Sequence, residues 1–224
     1  MNKTISPIAY IENDFKEKFG VPRQSGRATS LLSRIIFYPE YRIKDALRYI
    51  EGFSHLWLIF DFSLNDYDKF TPLIRPPRLG GNKKVGVFAS RSPFRPNGLG
   101  LSSVKLIKVE ESSKYGTTLI VSGADLVDKT PIYDIKPYIP SSDCHSDAKG
   151  GFSDEFSYYH LEVVIPENLK NKIDENKIDG LIECLSDDPR PSYQNDERVY
   201  GMSYADYNIK FAVKDNVLTV IDVE

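Results

Sequence analysis

The sequence predicts a mainly β protein, with a barrel or sandwich over roughly the first 140 residues and a small α+β unit after it. Three observations carry that reading. Short β-branched and apolar runs recur through the first part, separated by turns rich in Gly and Pro. Helical periodicity is confined there to one short stretch. Beyond residue 157 the pattern changes to one long helical run and a terminal hairpin.

Taken in order, residues 5–11 read as a strand and 16–26 as a turn-rich loop. Residues 28–37 are apolar and β-branched enough for a second strand. In 40–50, Ile43, Ala46, Leu47 and Ile50 recur at three and four, which predicts a short helix ended by Gly52. Residues 54–62 form a nearly continuous apolar run of strand length and predict a buried strand. Residues 85–90, 101–109 and 117–122 follow as strands. Residues 125–139 are expected to be irregular, constrained by Pro131, Pro137 and the adjacent Pro140. Residues 141–157 are polar and predict a loop. A helix is predicted over 166–185. Residues 207–213 and 217–223 are the arms of a hairpin turning at Lys214, Asp215 and Asn216.

Charge is the most uneven property of the chain. Nine of its 29 basic residues lie between Lys69 and Val109, and none of its 32 acidic residues does. A formal net charge of −3 hides a concentrated positive segment on an acidic body. Such a field holds an anionic partner locally without binding polyanions everywhere. Within it, Arg75-Pro-Pro-Arg78-Leu-Gly-Gly-Asn82 and Arg91-Ser-Pro-Phe-Arg95-Pro-Asn97 fix guanidinium groups on rigid turns.

Other classes are disfavoured. No stretch approaches the ~18 apolar residues of a membrane span. Residues 1–20 contain Asp and Glu and no apolar run, so no secretory leader is expected. The two cysteines, Cys144 and Cys184, lack metal-ligand spacing, so no metal is expected and a reducing cytoplasm is the default. Gly98-Leu-Gly100 precedes a strand rather than a helix and lacks the third glycine of a dinucleotide loop. His55 sits in the apolar run and reads as a core histidine, and His160 has no evident partner. No nucleophile–histidine–carboxylate order and no convincing carboxylate pair stands out.

Four loops remain: Pro22-Arg-Gln-Ser-Gly26, Arg78-Leu-Gly-Gly-Asn82, Arg91 to Asn97, and Asp125-Leu-Val-Asp-Lys-Thr-Pro131 with Asp134-Ile-Lys-Pro-Tyr138. In order and spacing, and with Phe53-Ser-His-Leu-Trp57, they resemble the barrel-type, S-adenosylmethionine-dependent methyltransferases of tRNA threonylcarbamoyladenosine. The C-terminal Asp187-Asp-Pro-Arg-Pro-Ser-Tyr193 and Arg198-Val-Tyr-Gly201 are similar to that family's second domain. The resemblance implies a β-barrel cofactor domain at 1–145 and a small α+β domain at 146–224. It also implies a homodimer, and methyl transfer to the exocyclic N6 of the modified adenosine beside the anticodon. The sequence departs from the family at Asn97-Gly-Leu-Gly100, where Asn-Pro-Ile-Gly is frequent, and at Lys129, where Gly is usual.

S-adenosylmethionine presents an adenine, a ribose diol, a carboxylate, an amine and a sulfonium. Carried over by motif position, the cofactor residues are Arg23, Gln24, Ser25 and Gly26 of the first loop, Phe62 and Ser63, Arg91 for the carboxylate, Leu101, and Leu126, Val127, Asp128 and Lys129. Asp128, Asp134 and Tyr138 are candidates for a base acting on the acceptor nitrogen. Alignment of donor and acceptor alone is the alternative. For the tRNA anticodon loop the candidates are Arg75, Arg78, Lys83, Lys84, Arg95, Arg190 and Tyr193, with Phe94 and Tyr138 as further stacking rings. Two other readings compete: a non-catalytic RNA-binding barrel, whose support is the altered turn at Lys129, and a methyltransferase for another substrate.

Overall fold

A computed structural model describes residues 3–65, 70–76, 79, 83–156, 159–190 and 198–224. Eight strands come first: β1 (Ala9–Glu12), β2 (Leu32–Phe37), β3 (His55–Asp61), β4 (Leu73–Ile74), β5 (Val85–Gly86), β6 (Leu99–Ser112), β7 (Gly116–Ser122) and β8 (Pro131–Pro137). Six of them pair in the order β1-β2-β7-β6-β3-β8, every pairing is antiparallel, and β8 returns to β1 to close a barrel. Strand alternation fills its interior: Leu56, Leu58 and Phe60 of β3 pack with Ile11, Ile35, Val104, Leu119 and Ile132. His55, Trp57, Ile59 and Asp61 alternate with them on the outer face and are half-buried.

A four-residue helix, α1 (Pro140–Asp143), follows the barrel. Beyond it lie β9 (Glu162–Val164), α2 (Glu167–Lys170), α3 (Glu175–Ser186), β10 (Tyr200–Tyr204), β11 (Tyr207–Lys214) and β12 (Val217–Val223). Their sheet runs β10-β11-β12-β9, with β9 parallel to β12. The β11–β12 hairpin turns on Asp215 and Asn216, whose φ of 49° and 66° are those of a two-residue primed turn. The fold is therefore mainly β with a smaller α+β part, as the sequence predicts.

The second core contains more than C-terminal residues. Leu181 and Leu185 of α3 pack with Tyr204, Phe211 and Leu218, and also with Phe15, Ala28 and Leu31 from the loop between β1 and β2. Gly180 permits this approach, because a Cβ there would stand 2.3 Å from Leu31 Cδ2. Ala205 N donates to Asp14 O at 2.9 Å, and Lys177 pairs with Asp14.

Several local expectations are corrected. Residues 40–50 form separate 3₁₀ turns, Pro39–Tyr41, Lys44–Leu47 and Ile50–Gly52, instead of one helix. Only Leu47 and Ile50 reach the barrel core, and Tyr49 at φ 69° interrupts the segment. A stretch this short has too little burial to offset helix nucleation. Residues 131–137, expected to be irregular, are β8. Their prolines stand at its first and last positions, where a missing N–H costs the ladder least. The run 85–90 pairs only at β5 and then enters the 3₁₀ turn Val87–Ala89. The predicted helix at 166–185 breaks between α2 and α3, where Asp174 N donates to Tyr207 Oη at 3.1 Å.

Candidate functional site at the barrel mouth

Where β3 ends, four loops meet around a cavity of about 240 Å³. Its apolar wall comes from Val21, Pro22, Phe60, Phe62, Pro93 and Leu126, and its polar lining includes Asp61, Ser63, Asn65 and Asp125. Phe60 and Phe62 meet edge to face at 5.2 Å. Gly100 lets β6 lie against the first of these rings, since a Cβ would fall 2.3 Å from Phe60 Cζ. Phe62 N donates to Gly98 O at 3.2 Å, and Lys18 Nζ donates to Asn65 Oδ1 at 2.9 Å. The lining loops are thus tied to one another by short-range contacts.

Two carboxyl groups line this space. Burial pushes the Asp125 carboxyl up; hydrogen bonds from Ser102 and the Ser25 backbone, and the nearby Arg91 charge, oppose the rise. The Ser102 hydroxyl donates to Asp125 Oδ1 at 2.5 Å. Burial also raises Asp61, against a bond from the Phe62 backbone. Neither was among the site residues expected from sequence. Asp125 opens a recognised turn, but nothing local distinguishes it from Asp128 three residues on; Asp61 reads as the end of an apolar strand.

Of the expected cofactor residues, Phe62, Ser63, Leu126 and Val127 line the cavity. Gln24, Ser25 and Arg91 gather beside Asp125: Arg91 Nη1 donates to Gln24 Oε1 at 2.5 Å, and Ser25 bonds Asp125. Gly26 N donates to Gly123 O at 2.8 Å, packing the first loop against the end of β7. The other four lie elsewhere. Arg23 turns toward the C-terminal part, where its backbone N–H donates to Asp187 Oδ2 at 3.2 Å and Nη2 to Asp188 O at 2.8 Å. Leu101 is 54% exposed on β6, opposite Ile59. Asp128 Oδ1 accepts from Asn13 N at 3.0 Å and Oδ2 lies 3.5 Å from Lys16 Nζ, so this carboxylate fastens the turn to the loop after β1. Lys129 stands at φ 63°, pairs with Glu12 and lies 5.0 Å from the Tyr10 ring centroid.

The expected bases divide: Asp128 adjoins the lining residue Val127, Asp134 stands opposite Ile59 beside Phe60, and Tyr138 is remote. Asp134 pairs with Lys136 at 3.0 Å. Tyr138 lies at the opposite end of β3, its N–H on His55 O at 2.9 Å and its ring 5.4 Å from Trp57. At about 3.4 Å per residue, the length of β3 stands between it and the mouth. Beside it Trp57 Nε1 donates to Asp143 Oδ2 at 2.9 Å.

The expected tRNA contacts also divide. Arg75, Lys83 and Lys84 are exposed. Arg95 is half-buried and donates through Nη1 to Ser90 O at 2.7 Å and Val87 O at 3.2 Å, bracing its own loop. Arg190 is only 6% exposed, and its Nε and Nη2 hold Asp188 at 2.8 and 3.0 Å. Its motif looks like an RNA contact, but the guanidinium is consumed by a buried pair. Arg78 and Tyr193 lie outside the described residues. Among the described residues no group of three or more His, Cys, Asp or Glu is placed to hold a metal, and no helix is long and apolar enough to cross a membrane.

A closed β ladder with an aromatic, carboxylate-bearing cavity at its mouth and cations beside it is the candidate small-ligand site. The model for the tRNA-methyltransferase O N-terminal domain matches residues 10–144, and that for the TrmO C-terminal domain matches 159–224. The chain belongs to the tRNA-methyltransferase O family. It is 37% identical over 227 residues to the tRNA (adenine(37)-N6)-methyltransferase of Escherichia coli, covering 97% of this chain and 96% of that one. It is 38% identical over 233 residues to RcsF of Pseudomonas aeruginosa, classed among S-adenosylmethionine-dependent methyltransferases, covering 100% of this chain and 98% of that one. The crystal structure of TrmO from Pseudomonas aeruginosa superposes with a TM-score of 0.81 at 31% identity, over 100% of both chains.

Proposed function

We propose that this chain is an S-adenosylmethionine-dependent tRNA methyltransferase acting on the exocyclic N6 of threonylcarbamoyladenosine beside the anticodon. The observation that carries the reading is the barrel-mouth cavity, in a member of a tRNA methyltransferase family. Its walls suit an adenine, and its two carboxyl groups suit a ligand carrying a sulfonium and an amine. When bound, the sulfonium supplies an electrophilic methyl group. The acceptor nitrogen gains that methyl and loses one proton, and a neutral thioether leaves.

The residues divide this work by chemistry. Phe60, Phe62 and Leu126 cover apolar surface and exclude water. Gln24, held by Arg91, and Ser63 are the neutral polar groups for the ribose and methionine end. Arg91 answers the carboxylate. Asp61 and Asp125 face the cationic end, and each is an acceptor for a proton leaving the site. Tyr138, at the far end of β3, is the least suited of the expected bases, and Asp128 and Asp134 remain proposed alternatives to Asp61 and Asp125. Arg75, Arg78, Lys83, Lys84 and Tyr193 remain the proposed tRNA contacts, and Arg190 does not. The division at residue 145, a cytoplasmic location and a homodimeric working unit belong to the same proposal.

The left-handed backbone at Lys129 removes the ground for a barrel without cofactor. The turn keeps the conformation that suits Gly, with Lys129 N on Ile11 O at 2.8 Å. Calorimetric titration with S-adenosylmethionine, then methyl transfer to tRNA with and without the threonylcarbamoyl group, tests the reading. Saturable binding and methylation of only the modified tRNA support it. Binding without transfer to either tRNA assigns another substrate, and absence of binding rejects the enzyme.

A further inference from the structure

Phe88 is 72% exposed, the second of three residues in a 3₁₀ turn. Its backbone is nevertheless firmly held. Val87 is buried, and its N–H donates to Pro72 O at 3.0 Å. Val87 O accepts the Ser90 hydroxyl at 2.8 Å and Arg95 Nη1 at 3.2 Å. The ring stacks on Phe70, itself 52% exposed, with centroids 6.4 Å apart and planes 29° from parallel. The Arg95 guanidinium carbon lies 5.7 Å from the Phe88 centroid. An apolar ring this exposed and this well supported is a prepared surface.

We infer that Phe88, backed by Phe70 and Arg95, is a stacking platform for an unpaired RNA base next to the one presented to the cavity. The inference deepens the tRNA-acting reading and rests on it. Charge selects the occupant. No Asp or Glu lies between Lys69 and Val109. The β4–β5 pairing brings Ile74 opposite Val85, so Arg75 and Lys84, the next residues outward, flank one end of the ladder. Position selects it too: the turn carrying Phe88 continues to Pro93, which lines the cavity. A two-fold contact between copies centred on this patch would set the same cations against one another. Base–aromatic stacking needs only an accessible flat ring, a nearby cation strengthens it, and it tolerates any base.

The test compares Phe88→Ala, Phe88→Leu and Phe88→Tyr for binding to an anticodon-loop RNA and to a duplex of equal length, with sedimentation and cofactor titration alongside. Losing one stacked base costs roughly tenfold in affinity. The expected result is that loss for both Ala and Leu, near-wild-type binding for Tyr, and no change in duplex binding, cofactor affinity or salt slope. Wild-type RNA affinity in Phe88→Leu overturns the platform. So does a loss that follows only from dissociation of the oligomer, which would make the face an interface between copies. If Phe88-dependent RNA binding persists but the wild-type protein transfers no methyl group, the methyltransferase reading falls and the platform stands. Unchanged KM for tRNA in Phe88→Ala has the opposite meaning.

Discussion

At the scale of single residues, the two raised carboxyls have a measurable signature. In the folded protein Asp61 and Asp125 keep protons that the unfolded chain has already released. Their contribution to stability is therefore fully present below about pH 4 and lost as pH rises through their raised values. A cationic ligand responds in the opposite sense, because it gains a partner as each proton leaves. Binding of S-adenosylmethionine is expected to tighten from about pH 4 upward, and Asp125→Asn to flatten that rise; calorimetry across pH measures both. Lys129 gives a second test. Its left-handed φ costs a non-glycine residue about 1 kcal/mol, and its exposed contact with Glu12 returns less. Lys129→Gly is expected to leave stability unchanged or raise it by up to about 1 kcal/mol in urea denaturation. At this scale the chemical type of the site was legible in sequence, but side-chain direction was not. Asp125 and Asp128 share one turn, yet one joins the cavity wall and the other fastens the loop after β1.

At the scale of elements, legibility followed the range of the interaction. Strands β2, β3, β6 and β7 announce themselves through apolar runs and turns. β8 is masked by prolines that only a strand end accommodates. β9 has three residues, and a parallel partner more than fifty residues later gives it its identity. Arg190 shows the same limit: a guanidinium in a Pro-flanked loop reads as a ligand contact until Asp188 is seen to hold it. Removing one partner of a buried pair strands the other charge, so Arg190→Ala is expected to cost about 3–5 kcal/mol of stability. Chemical denaturation measures that cost. The slope of RNA affinity against salt should not move with it.

For the whole molecule, the relevant quantity is the separation of positive loops from an acidic body. Each phosphate-contacting lysine adds about one counterion to the salt dependence of RNA binding. Lys83→Ala combined with Lys84→Ala is expected to reduce that slope by about 2 and leave cofactor affinity unchanged. Arg91→Ala is expected to do the reverse, because it holds Gln24 beside the cavity. Titrations of cofactor and RNA over a salt series separate the two; a normal cofactor affinity in Arg91→Ala would remove that residue from the site.

The loop between β1 and β2 lends Phe15, Ala28 and Leu31 to a core otherwise built from residue 161 onward. On the ribosome, these side chains emerge long before their partners. At 5–20 residues per second, synthesis of the C-terminal third takes on the order of ten seconds. For that interval a completed barrel carries an uncovered apolar loop that helps frame its own cavity. Truncation before residue 161 is therefore expected to leave Phe15, Ala28 and Leu31 uncovered and the barrel mouth loose, which hydrogen exchange of the 1–160 fragment would measure.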